Sequence, residues 1–394
     1  MRVLLFTGKG GVGKSTVAAA SAVRAARSGR KVLALSTDSA HSLGDALGVE
    51  VGSEPTEVES GLFVAQVDAQ RRFERSWREV QDYLLSVLDA AGVDQIAAEE
   101  LTVLPGAEEV LALLELRDQA RSGRWDAVIV DCAPTAETLR LLALPEALGW
   151  YMDRVFPMER RLMRTLRPVL GKVAGVPMPQ DRVFGAVERL HQELVEVREV
   201  LTDAGSTVRL VLTPESVVVA EARRTLTSLA LYGYRVDAVV ANRVFPSGGA
   251  DDWRAGWVEA QQAQLAEVRA SFAPLPVHEC GYRDREPVGA DDLADLALAT
   301  YGETDPLAEP ATDEPMTVER SDDELVLVLA LPLVDRTDVE LARVGDDLVI
   351  TVGGYRRVLA LPSALRRCAV AGAGMRDGRL RVRFEPDPQS WRPA

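Results

Sequence analysis

Residues Gly8-Lys9-Gly10-Gly11-Val12-Gly13-Lys14-Ser15-Thr16 satisfy the pattern G-x-x-x-x-G-K-[ST] in full. The apolar run Val3-Leu4-Leu5-Phe6 comes before them and an alanine-rich run, 17–26, comes after. That is the strand, loop, helix order in which the pattern carries meaning. Glycines let the backbone wrap closely around an anion with its N–H groups pointing inward, and the following helix turns its positive end toward the same anion. The segment 8–16 therefore predicts a phosphate cradle. Lys14 would reach the outer phosphates and the Ser15 hydroxyl would ligate Mg²⁺. Lys9 adds a second lysine directly after the first loop glycine. From there it cannot easily bend back to its own nucleotide, but it can reach one held by a second subunit.

The chain has 394 residues, longer than one average domain and long enough to bury a large core. Its 45 basic and 60 acidic residues leave a net charge of −15. That argues against non-specific nucleic-acid binding, which needs a basic surface. The start, 1–6, reads as a core strand rather than a leader, which predicts a cytoplasmic protein. No apolar run reaches the roughly 18 residues that span a bilayer, so stable membrane insertion is not expected. Cys132, Cys280 and Cys368 lie far apart and form no C-x-x-C pair, which fits a reducing compartment and argues against structural zinc. His41, His191 and His278 are equally scattered.

Residues 1–301 alternate strand-like and helix-like segments. Strands are expected at 3–6, 31–36, 127–130, 208–212 and 236–241, each short and Val-rich as strands covered on both faces tend to be. Helices are expected at 15–28, 71–90, 107–121 and 215–231. The alternation predicts an α/β fold with a mostly parallel sheet flanked by helices. Residues 150–202 break the rhythm and read as a helical insertion. Met152, Met158, Met163 and Met178 lie there. They make either an adaptable surface for varied apolar partners or ordinary helical core. Val183, Val187, Leu190, Leu194, Val197 and Leu201 alternate spacings of four and three, a narrow seam that more often packs within a domain than against a partner. Residues 302–315 hold three prolines, five acids and no base, a linker composition. Beyond them, 324–331, 338–342, 347–352, 356–361 and 379–384 read as short strands joined by turns. They predict a small all-β sandwich domain over 316–386, with 387–394 as a tail.

Asp38 at the end of the second strand is placed to hold Mg²⁺ through water, and Asp131 ends the strand 127–130 as a second carboxylate on the metal's side. Asp45 lies close enough in sequence to orient an attacking water. A lone Asp after a strand also serves as a cap, and Asp131 gains weight by sharing a sheet with the loop.

With these residues in view, the chain resembles the dimerising ATPases with a second lysine in the phosphate loop, specifically the arsenical-pump and tail-anchored-protein-targeting ATPases. Asp38-Ser39-Ala40-His41-Ser42 is similar to their D-P-A-H-[SN] segment. Asp131-Cys132-Ala133-Pro134-Thr135-Ala136-Glu137-Thr138-Leu139-Arg140-Leu141-Leu142 is similar to D-[TC]-A-P-T-G-x-T-L-R-L-L, and Pro105-Gly106-Ala107-Glu108-Glu109 to P-G-x-x-E. The resemblance covers roughly 1–300. It implies ATP and Mg²⁺ as cofactors, a homodimer in which Lys9 acts in trans, Asp45 as the water-positioning carboxylate, and Asn242 reading the adenine edge. Ser39 stands where proline is usual and Ala136 where glycine is usual. The metalloid-binding cysteine cluster of true pumps is missing, as is the C-x-x-C pair of zinc-bridged relatives. The segments around 329–332, 348–352, 357–362 and 378–380 resemble a small-heat-shock (α-crystallin-like) domain. The expected function is a homodimeric ATPase that binds and releases apolar client segments. The alternatives are an energising subunit for arsenite or anion efflux and a positioning ATPase on DNA or membrane.

Overall fold

The computed structural model describes residues 1–38, 42–67, 107–133, 181–247, 251–309, 314–321 and 324–386. The Met-rich part of the insertion, the helix expected at 71–90, the end of the linker and the tail lie outside them.

The first domain is built on an eight-stranded sheet. Its strands are β1 (Arg2–Thr7), β2 (Val32–Ser36), β3 (Thr56–Glu59), β4 (Leu62–Gln66), β5 (Ala127–Asp131), β6 (Ser206–Leu212), β7 (Val236–Val244) and β8 (Val277–Gly281). The order across the sheet is β3-β4-β2-β5-β1-β6-β7-β8. All neighbours are parallel except the edge pair β3–β4. Every residue of β1, β2, β5 and β6 is buried, which is why their middles are mostly apolar and why Arg2, Thr207 and Arg209 need partners inside the domain. Around the sheet lie α1 (Lys14–Arg27), α2 (Ser42–Leu47), α3 (Ala107–Arg121), α4 (Asp181–Thr202), α5 (Ser216–Leu231), α6 (Asp252–Phe272) and α7 (Ala290–Tyr301). The alanines of α1 let it lie flat on the sheet. Ala18, Ala19, Ala22 and Ala25 are fully buried beside β1, β2 and α7. In α4 the apolar seam turns inward at Leu194, Val197 and Leu201 against α3 and β6, so over this half it packs within the domain.

Because β1, β2, β5, β6, β7 and β8 run in one direction, their C-terminal ends share one edge, and the loop 8–13 lies there. At the opposite edge sits a buried charge cluster. Asp237 accepts from Arg2 Nη2 at 2.8 Å, from Arg209 Nη2 at 2.9 Å and from the Thr207 hydroxyl at 3.0 Å. The Tyr301 hydroxyl carries the network on to Ser21 in α1 at 2.9 Å.

The second domain is all-β. One sheet has the order β14-β15-β10-β9 and the other β11-β12-β13. Their strands are β9 (Met316–Ser321), β10 (Glu324–Ala330), β11 (Val339–Val344), β12 (Asp347–Val352), β13 (Tyr355–Ala360), β14 (Cys368–Arg376) and β15 (Arg379–Pro386), with a one-turn helix α8 (Ser363–Arg366) before β14. Leu327, Leu329, Leu348, Ile350, Val382 and Phe384 face each other between the sheets. This domain docks on the end of α5. Leu231 is fully buried in the β-domain's core rather than its own. The buried Arg357 guanidinium donates to Leu231 O at 2.6 Å, and the Thr227 hydroxyl donates to Pro332 O at 2.9 Å.

The acidic stretch after α7 begins as packed structure. Leu307 is buried, and Arg30 grips Asp305 with two nitrogens at 2.8 and 2.5 Å. That hydrogen bonding holds the Asp305 carboxyl below the usual range. Among the described residues no helix is long and apolar enough to cross a membrane.

Candidate active site

The loop 8–13 is shaped by two glycines above all. A side chain on Gly8 would run into the Val211 carbonyl at the end of β6. Gly13 has φ 90° and caps α1, and a side chain there would run into the Asn242 amide. Val12 is buried and pins the middle of the loop to the core, while Gly10 and Gly11 are exposed. α1 then begins at Lys14 with its N-terminus aimed at the space inside the loop, an arrangement that favours an anion.

Lys14 is 6% exposed, and its ammonium donates to the Lys9 carbonyl across the loop at 3.5 Å. Asp131 ends β5 in register with Phe6 of β1 and Ser36 of β2, directly under the loop. Both its carboxylate oxygens are buried and accept no hydrogen bond of good geometry. Burial pushes Asp131 up to about 6; the nearby Ser15 hydroxyl and Lys14 ammonium oppose that, and Asp38 adds to it. A buried carboxylate with two orphaned oxygens, a hydroxyl and a second carboxylate close by is an oxygen donor set suited to a hard cation. The residues fit Mg²⁺.

Asp38 follows β2 and is half-buried; its backbone is held by the Ser36 hydroxyl at 3.3 Å and by Gln66 Nε2 at 3.3 Å. Asp45 lies in α2, exposed at the same edge of the sheet. Residues 39–41, which join it to Asp38, lie outside the described set, as do 134–142 of the second signature and 105–106. Thr16 is half-buried in the first turn of α1.

Asn242 sits beside the loop rather than at a distance from it. Its Nδ2 donates to Val12 O at 2.8 Å and its Oδ1 accepts from the Arg243 N–H at 2.9 Å. The amide thus braces the cradle. One N–H and one lone pair remain for another ligand. Just beyond, the backbone turns through Arg243 at φ 57°, and Gln261 of α6 clamps that turn by accepting from Phe245 N and donating to Arg243 O at 3.0 Å.

Lys9 is half-exposed on the rim, with its ammonium 3.9 Å from the Glu221 carboxylate of α5. Sequence reasoning missed Glu221, Gln66 and Gln261. Each sits far along the chain on an element whose facing is set by the fold, and no local motif marks it. Cys132, Cys280 and Cys368 are all buried, on three separate strands or strand ends, and burial pushes the first two thiols up. Among the described residues no cluster of His, Cys, Asp and Glu forms a preassembled metal cage.

The sequence pattern of the anion-transporting ATPases matches residues 1–302, and that of an HSP20-like domain found in ArsA matches 322–384. A Streptomyces coelicolor protein is 43% identical over 99% of this chain and 99% of its own length. A putative arsenical pump-driving ATPase of Chlorobaculum tepidum is 36% identical, over 99% of this chain and 97% of its own. ATPase get3 of Aspergillus terreus is 28% identical over 64% of this chain and 76% of its own.

Proposed function

The chain belongs to the anion-transporting ATPase family and hydrolyses ATP, and on that premise we propose that it works as a magnesium-dependent homodimer that binds and releases apolar protein segments. The observation that carries the catalytic half is the pair of orphaned Asp131 oxygens beneath the phosphate loop, next to Ser15 and Lys14.

In this reading the N–H groups of the loop and of the first turn of α1 hold the phosphates, and Lys14 fixes the outer ones. Ser15, Asp131 and Asp38 hold Mg²⁺, which when bound neutralises charge on the outer phosphates. Asp45 orients the attacking water. Its exposure means that α2 must be carried over the phosphates, or covered, before the water is shielded. Asn242 uses its remaining N–H and lone pair toward the adenine edge while its other contacts keep the loop in shape. Lys9 leaves Glu221 and crosses to the nucleotide of a second copy, which closes the site from above.

For the partner, the cysteines favour an apolar client over a metalloid. Arsenite calls for several converging thiolates. This chain's thiols are buried and separated, and burial pushes those of Cys132 and Cys280 up. Energising anion efflux, the second reading, draws on relatives named as arsenical pump-driving ATPases. The two readings part in one assay. ATP turnover of the purified chain should rise with apolar peptides and stay level with arsenite. Stimulation by arsenite alone would overturn the client reading.

A further inference from the structure

Among the described residues, most of the large apolar side chains that the first domain leaves exposed are gathered at one edge of its sheet. Trp253 is 72% exposed and Trp257 50%, one turn apart at the start of α6, with their rings edge-on at 6.2 Å. Tyr282, 51% exposed, follows the end of β8, and Val217, 64% exposed, opens α5 after the end of β6. Val288 precedes α7, whose start is tied to α2 by the Gly289 N–H donating to Ala46 O. All of these follow C-terminal strand ends, so they share the edge that carries the phosphate loop and Lys9. Toward the opposite edge, with its buried arginines, the described residues leave only Met1 and, on α7 one turn before Tyr301, Leu298 exposed.

An exposed tryptophan pair is unusual on a surface that stays in water. The first two turns of α6 from Asp252 to Ala260 have no buried residue, although the helix is firmly started. The Asp251 side chain accepts from Arg254 N at 2.8 Å, and the apolar contacts with the sheet begin only at Gln261 and Leu265. The start of α6 therefore projects past the core with its aromatics uncovered. At these exposures Trp253, Trp257 and Tyr282 present on the order of 400 Å², about half of the roughly 800 Å² that a stable interface takes from each partner.

We propose that Trp253 and Trp257 are an aromatic contact between two copies of this chain, formed when nucleotide brings their phosphate-loop edges face to face. This rests on the homodimer reading and names the surface that holds it. The occupant is a second copy because the half-exposed Lys9 lies on the same edge, and the homodimer reading sends it to a nucleotide site facing that edge. A two-fold axis passing beside the start of α6 would appose it with its counterpart, so that one patch serves both sides. Aromatic anchors of this kind dominate interface energies.

The test uses the full chain with Mg²⁺ and a slowly hydrolysed ATP analogue. Sedimentation equilibrium should give a dimer for the wild type. The Trp253→Ser/Trp257→Ser variant should keep its melting temperature and nucleotide affinity while its dimer dissociation constant rises at least about tenfold. In the wild type, acrylamide quenching of tryptophan emission should drop on dimerisation. This second reading needs no variant. A variant that dimerises as tightly as the wild type, or quenching that is unchanged in a demonstrated dimer, overturns the inference and leaves the homodimer standing. A variant that dimerises normally but no longer binds an apolar peptide assigns the patch to clients and overturns it equally. A wild type that stays monomeric with nucleotide bound overturns both.

Discussion

In nucleotide-free protein, Asp131 carries its charge at a cost that can be measured. Its carboxyl lies under the loop with both oxygens buried and unpaired, and burial moves it from an ordinary 3.8 to about 6. In the folded apo protein it binds a proton more tightly than in the unfolded chain. Between about pH 4 and pH 6 the native state therefore holds the extra proton, and stability falls as pH rises through that window. The full penalty is about 3 kcal/mol, and roughly half of it accrues between pH 5 and pH 8. Asp131→Asn removes the titration. The assay is urea unfolding of both proteins in metal-free buffer at pH 5 and pH 8. The stability difference, variant minus wild type, should be more favourable to the variant at pH 8 by about 1 kcal/mol. Taking the change with pH cancels any fixed cost of burying an amide. With Mg²⁺ and ATP present the order should reverse, because only the wild type gains the charged ligand. A difference that does not change with pH would refute the claim that burial raises the Asp131 carboxyl in the nucleotide-free protein.

Asp45→Asn should leave nucleotide affinity within error and slow steady-state hydrolysis roughly a hundredfold or more; normal turnover removes Asp45 from the water-positioning role. Asp237→Asn leaves the buried Arg2 and Arg209 without their counter-charge and should cost about 3–5 kcal/mol in urea unfolding. A loss under 1 kcal/mol would mean the cluster is not held by that carboxylate. Leu231→Ala takes a buried side chain out of the β-domain's core while sitting on a helix of the ATPase domain. It should cost about 2–5 kcal/mol and split thermal unfolding into two transitions as the domains uncouple; a single cooperative transition speaks against docking through α5.

The sheet's centre and the cradle were legible because their causes are local. Residues 3–6 and 127–130 are apolar throughout since both faces are covered, and the glycines of 8–13 are required by the turn itself. What escaped the reading has weaker local causes. β4, Leu62–Gln66, is short and lacks a flanking motif. β14 has Gly372 and Gly374 inside it and gains its place only by pairing with β15. α6 is exposed for two turns, so it has little apolar period to detect, and only Asp251 as N-cap marks its start. The pairing of Lys9 with Glu221 and the bracing of the loop by Asn242 join residues more than two hundred positions apart. Sequence spacing carries no information about contacts of that kind. The docking of Leu231 into the other domain is hidden for the same reason, since a buried leucine on α5 looks alike whichever core receives it.

The central claim is that Lys9 serves the nucleotide of a second copy, and mixing two disabled variants tests it most directly. Lys9→Ala and Lys14→Ala proteins should each be nearly inactive as homodimers. When they are mixed, each heterodimer contains one site with an intact Lys14 of its own and an intact Lys9 from its partner. Hydrolysis should then return to about a quarter of the wild-type rate at equal mixing. If Lys9 acts only on its own subunit's nucleotide, no site in the mixture is complete, and activity that stays at the level of the separate variants contradicts the account.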